Sequence, residues 1–310
     1  MPITQPTVLI LGAGASRPYG FPLGSDLRDK ICDHAADLRY IPFLKQFGFG
    51  NSHVKAFRHA LQHSGFSSID AFLDAEPAYT AIGKVAIALA LLPLEQHSRL
   101  FPPSAPRSGH WYQYLLSLMA AGESGWERNR LTILTFNYDR SLEHYFCTVL
   151  AHRLGADTIA AAKAFKRIEV IHLHGQLGGY PGLGAKPVPY GNDDITVKQI
   201  QRAAESIRTI SEEQDLRPFA KAGKRLTAAK RIFFLGFGFA GPTMDRLAGY
   251  APDCVTPIGG TSRGLSDREW ARVTGRHFKG RWLPRSRRSV LEFLRSDVNL
   301  EYNPDPRVQA

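Results

Sequence analysis

VLILGAGAS, residues 8–16, runs four apolar side chains straight into Gly12-Ala13-Gly14-Ala15-Ser16. A short apolar run closed by a glycine turn reads as a buried strand feeding a helix. Such a turn aims backbone N–H groups at the helix start, where a phosphate can sit. Four further apolar runs repeat along the chain: LTILT (131–135), EVIHL (169–173), RIFFL (231–235) and DCVTPI (253–258). Segments of helical spacing separate them, such as SLEHYFCTVLAHRL after the second. Strands alternating with helices predict an α/β fold on a doubly wound, Rossmann-like parallel sheet. The ligand crevice of such a sheet lies beyond the carboxyl ends of its strands. The first four runs are followed by GAGAS, FNYD, HGQLGG and GFGFAG. Polar and glycine-rich groups thus converge on one edge from four separate places.

Between the first run and the second no strand pattern occurs. SIDAFLDAEPAYTAIGKVAIALALLPLEQH and HWYQYLLSLMAAG read instead as amphipathic helices. They predict a helical insertion over 37–128 within a Rossmann-like domain made of residues 1–36 and 129–310. The insertion would offer apolar helix faces for packing between protomers. GGYPGLGAKPVPYGND (178–193), rich in Gly and Pro, is expected to loop over the crevice.

The bulk numbers narrow the class. A chain of 310 residues with 44% hydrophobic content is ordinary globular material. MPITQPTVLI has no charged leader, and AIGKVAIALALL (81–92) is too short for a span and contains Lys84. A cytoplasmic protein without a membrane segment is expected. Cys32, Cys147 and Cys254 lie far apart and form no CxxC, so neither a disulfide framework nor a zinc site is predicted. The net charge is +11, and from Arg263 to Arg295 ten basic side chains face three acidic ones. That stretch is either a solvated face or a surface for nucleic acid or an acidic partner.

The motifs divide by how much chemistry they carry. In GAGAS the third glycine of a dinucleotide fingerprint is replaced by Arg17, and no acid-ended second strand follows. A formal GxGxxG comes late, at Gly236, Gly238 and Gly241. Either turn alone could be a tight strand-to-helix connection without a ligand. TFNYD places Thr135, Asn137 and Asp139 at alternate positions after a strand, able to meet a sugar hydroxyl or a water. The other reading of Asn137 or Asp139 is a helix cap. IHLHG (171–175) holds two histidines that are not expected to chelate together. His174, beside the glycine and nearest the crevice, is the candidate for proton transfer, and His172 is expected to pack in the sheet. A satisfied structural histidine is the alternative for His174. His59 and His63 share a helix face but lack the Glu of an HExxH, which favours a surface role.

The ordered set Gly-Ala-Gly-x-Ser, Thr-x-Asn-x-Asp and His-Gly resembles the sirtuin superfamily. The resemblance implies a sirtuin-type fold in which Gly12, Ala13, Gly14 and Ser16 cradle NAD. It implies that Thr135, Asn137 and Asp139 meet the nicotinamide ribose, and that His174 with Gly175 forms the catalytic pair. Gly236 and Gly238 look like the family's second nucleotide turn. The departures matter too. Sirtuin deacylases carry a four-cysteine zinc module after His-Gly, whereas no cysteine occurs here between 148 and 253. GFPLGSDL stands where Pro-Asp-Phe-Arg is usual, and the insertion is misplaced for a deacylase. These departures resemble the bacterial sirtuin-like NADases of anti-phage defence.

That resemblance implies an NAD glycohydrolase with NAD as substrate and no zinc, Asn137, His174 and Asp139 being its catalytic residues. Nicotinamide is already cationic in NAD and can leave through an oxocarbenium-like state without prior protonation. An NAD-dependent deacylase, or a non-catalytic sensor or structural subunit that binds nucleic acid through the basic C-terminal region, are the alternatives. Because free-running NAD hydrolysis is toxic, a gated homo-oligomer, or pairing with a HerA-type ATPase, is expected.

Overall fold

The computed structural model describes residues 2–37, 40–103, 109–119, 126–191, 194–209, 216–250, 256, 258–278 and 285–300. Five parallel strands form one sheet: β1 (Thr7–Leu11), β2 (Leu131–Thr135), β3 (Glu169–His172), β4 (Arg231–Leu235) and β5 (Ile258–Gly260). Their order is β3-β2-β1-β4-β5. The first four coincide with the predicted runs, β3 ending one residue early. Of DCVTPI only Thr256 and Ile258 lie among the described residues, and the strand there starts at Ile258. Cys254 lies outside them as well.

The chain winds outward from β1 through β2 to β3, then returns to β4 on the other side of β1. The winding sense therefore reverses between β1 and β4, where a Rossmann-like sheet opens its crevice. Helices cover both faces of the central strands, which is why β1, β2 and β4 read as mainly apolar runs, while β3 at the edge is half-buried. Leu9, Leu11, Leu131, Ile133, Phe233 and Leu235 share one core with the helices between β1 and β2. Val8, Ile10, Leu134, Ile171, Ile232 and Phe234 join the other, against the helices Arg217–Ala228 and Gly241–Tyr250.

Among the described residues the segment between β1 and β2 is helical and adds no strand, and its apolar side chains go largely into the chain's own core. Val54, Phe57, Leu61, Phe72, Leu73 and Ile87 are buried. Among the described residues the large exposed apolar side chains are Leu154, Ile159 and Leu216, none of them in the insertion. Pro77–Leu94 is long and apolar enough to cross a membrane, but 61% of it is buried as a core helix.

The insertion also grips the first turn of the chain. Trp111 Nε1 donates to the Ala15 carbonyl at 2.8 Å, and the Tyr112 amide to the Tyr19 hydroxyl at 2.9 Å. Arg140, fully buried after β2, forms an ion pair with Glu95 of the insertion. The same guanidinium donates to the carbonyls of Gly179, Val188 and Pro189. It therefore pins the Gly- and Pro-rich loop to the sheet. Asn192 and Asp193 of that loop lie outside the described residues.

Candidate active site

At the switch point two glycine turns press against each other. The Gly14 amide donates to the Gly236 carbonyl at 2.9 Å, the Gly12 amide to the Leu235 carbonyl at 3.1 Å, and the Ala15 amide to the Gly12 carbonyl at 2.9 Å. Gly236 has φ +58°, and a Cβ there would stand 2.1 Å from the Ala15 nitrogen. Only glycine supplies both that conformation and that approach. Three donors of the first turn are thus committed within the chain, so the expected row of free amides is shorter than the sequence suggests. Ala13 is partly exposed, and Gly238, next to the second turn, is exposed with open space around it.

A hydrogen-bonded belt ties the turn after β1 to the segment after β2. Asn137 Nδ2 donates to the Gly12 carbonyl at 3.0 Å and to Ser16 Oγ at 2.9 Å. The Asn137 amide donates to Thr135 Oγ1 at 3.0 Å. Asp139 accepts from the amide and hydroxyl of Ser141. Burial pushes its carboxyl up, and the hydroxyls of Ser141 and Ser16 offset this only in part. Ser16, Thr135, Asn137 and Asp139 line one cavity of about 10 Å³ together with Glu143 and His172. The helix Ser141–Leu154 has Arg140 at its N-cap and no side-chain cap bond; Asp139, one residue earlier, accepts from its first amide, while Asn137 crosses to another loop.

The two histidines part company because the strand ends between them. Residues two apart on a strand share a face, but β3 stops at His172 and the chain turns through Leu173 and His174. His172 keeps to the polar belt. Its Nε2 lies 2.7 Å from Glu143 Oε1, and its Nδ1 3.1 Å from the Asn137 carbonyl. It is therefore more than a packing residue. Burial works to keep this imidazole neutral, but the Glu143 carboxylate and the Asn137 carbonyl outweigh it and raise its pKa.

His174 enters an aromatic environment instead. Its ring meets Phe136 edge-to-face at 5.2 Å and lies 6.3 Å from Tyr138. Nδ1 is 4.0 Å from Asp70 Oδ1, the oxygen that also accepts from the Tyr138 hydroxyl. Nε2 is buried without a hydrogen-bond partner. Burial lowers its pKa, Asp70 opposing and Arg246 adding to the effect, so the imidazole is neutral at pH 7. A neutral histidine with an uncommitted ring nitrogen can accept a proton.

Asp70, Glu143 and the Arg140–Glu95 pair carry no signal in the sequence that would single them out. Asp70 reads as a first-turn acid behind the cap Ser68, and Glu143 as the first-turn acid of the helix after β2. Nothing in their local pattern marks them as site residues. Among the described residues no three His, Cys, Asp or Glu side chains converge to hold a metal. The His59 and His63 rings lie 4.3 Å apart, tilted by 32°, and the His63 ring bonds the His59 carbonyl. In the basic segment Arg276, Arg285, Arg287 and Arg288 are ion-paired, while Lys279 and Arg281 lie outside the described residues.

No family model matches the chain, and no curated protein does. Among solved structures it is similar to a triple-mutant Sir2 homologue in complex with 2'-O-acetyl ADP ribose. The two are 13% identical, the match covers 96% of this chain and 94% of that one, and the TM-score is 0.43. So distant a likeness carries no functional conclusion, and the chemistry has to be read from this chain's own residues.

Proposed function

We propose that the chain is an NAD glycohydrolase that cleaves NAD to nicotinamide and ADP-ribose. The observation that carries this reading is the Asn137–Ser16–Gly12 belt at the switch point, with the neutral, uncommitted His174 at the same sheet edge. The leaving nicotinamide departs from C1′ as a neutral base, so the protein's task is to position the ribose and deliver water. Asn137 holds the ribose hydroxyls or the attacking water. His174 takes a proton through Nε2, and Asp139 braces the loop through Ser16 and Ser141. The pinned segment 178–191 keeps bulk water from the reaction.

In this reading the biological role is NAD depletion in anti-phage defence, gated by assembly with further copies or with a HerA-type ATPase. Support for the gate is the toxicity of free NAD hydrolysis. Purified protein incubated with NAD is expected to release free nicotinamide in the absence of any peptide. Release only when an acetylated peptide is added would make it a deacylase, and binding without release would make it a sensor.

A further inference from the structure

His172 stands between two acceptors. On one side is Glu143 Oε1 at 2.7 Å from Nε2, on the other the Asn137 carbonyl at 3.1 Å from Nδ1. Neither acceptor can donate while Glu143 is ionised, so both contacts are hydrogen bonds only if both ring nitrogens carry a proton. The pair is mostly buried, with 10% of the His172 side chain and 5% of that of Glu143 exposed, and both residues line the wall of the cleft at the β3 edge. Glu143 Oε2 is buried and without a partner, which concentrates the carboxylate's interaction on the imidazole. Asn137 is the residue whose side chain joins the loops after β1 and β2.

We propose that His172 is a positioning residue that clamps Asn137 only while it and Glu143 hold both imidazole protons, so that NAD cleavage switches off as pH rises. This rests on the hydrolase reading and assigns it a regulatory device. When one proton leaves to solvent, the remaining one stays on Nε2, facing the stronger acceptor, Glu143. A lone pair on Nδ1 then faces the lone pairs of the Asn137 carbonyl. The contact turns repulsive, Asn137 shifts, and a small displacement of a positioning group is costly in rate.

Of the other charged groups around His172, Asp139, across the cavity, and Glu143, on the helix Ser141–Leu154, favour the imidazolium when ionised. Burial pushes the Asp139 carboxyl up, and the signals of the His172 ring nitrogens tell the titration of His172 apart from those of the two acids. On the outer side a cleft of about 760 Å³ at the β3 edge carries Glu169, Lys166, Lys221, Lys186, Glu205 and Arg208 on its walls. Glu169 is engaged by Lys221 and Arg225, and Glu205 by Lys186. The surroundings hold His172 above its ordinary value and His174 below its own.

The test tracks nicotinamide release from pH 5 to 10 alongside the His172 ring nitrogens and the Asn137 carbonyl by NMR. Both ring nitrogens are expected to be protonated at low pH. The ring, the carbonyl shift and the alkaline fall in rate are expected to share one midpoint. In Glu143→Gln that midpoint moves down by about 1–3 pH units in all three signals, which a residue serving stability alone would not produce. A rate that stays flat while His172 titrates overturns the proposal. So does an alkaline limb that Glu143→Gln leaves in place, or a carbonyl shift indifferent to His172. If the variant does not fold, the wild-type midpoints decide. If no nicotinamide appears at any pH, the hydrolase reading fails, and the clamp is judged by the Asn137 carbonyl alone.

Discussion

Phe136 and Asn137 are neighbours in sequence, yet each belongs to a different half of the site. Thr135, Asn137 and Asp139 project into the polar belt and meet His172. Phe136 and Tyr138 project the other way and meet His174. One strand end therefore builds two environments, and each receives a histidine, His172 from the end of β3 and His174 from the turn after it. The surroundings drive the two imidazoles apart, His172 toward the cation and His174 toward the neutral base. Titratable groups pushed in opposite directions allow a division of roles that their shared side chain does not reveal.

Removing one member from each half puts this division to its severest test. His174→Ala and Asn137→Ala are each expected to lower nicotinamide release by roughly 10²–10⁴-fold with the fold intact by circular dichroism. The double variant is expected to lose less than the product of the two if both serve one step. Full activity in His174→Ala would place the chemistry in the polar belt alone.

The tie between the two halves and the insertion is the Arg140–Glu95 pair. Arg140→Met leaves the Glu95 carboxylate buried and unpaired, which is expected to cost about 3–5 kcal/mol in urea unfolding. Adding Glu95→Leu is expected to recover most of it, since no charge is then stranded. A smaller loss, about 1–3 kcal/mol, is expected for Gly236→Ala from its left-handed backbone and the crowded facing turn. A thermal melt that matches wild type would show that the two turns part easily.

Stability against pH separates the two histidines further. His172, raised in the fold, contributes stability that is complete below its unfolded pKa of about 6.5 and is lost as pH rises through the folded value. His174, lowered in the fold, has the opposite sign, and stability is lost as pH falls below about 6.5. Melts between pH 5 and 9 are expected to lose the acid slope in His174→Phe and the alkaline slope in His172→Gln. The smallest effect is expected at Gly238, where Gly238→Ala meets open space and stays within about 0.5 kcal/mol of wild type.

The parallel sheet was legible in the amino-acid order, because strands buried on both faces are largely apolar, and TVLIL, LTILT and RIFFL are mostly Val, Ile, Leu and Phe. So was the placement of GAGAS, FNYD and HG at one sheet edge, since parallel strands deliver their C-terminal segments to the same side. Tertiary structure decided which of these groups touch. The Gly12–Gly14 turn spends its amides on the turn after β4, a contact between residues more than two hundred positions apart. Strand alternation alone would put His172 and His174 on one face. The chain's turn at Leu173 separates them: Glu143, from the helix Ser141–Leu154, draws His172 toward the cation, while burial keeps His174 neutral against the pull of Asp70 on another helix. A local pattern records backbone preference and burial. The partner that sets a buried group's protonation arrives only when distant segments pack.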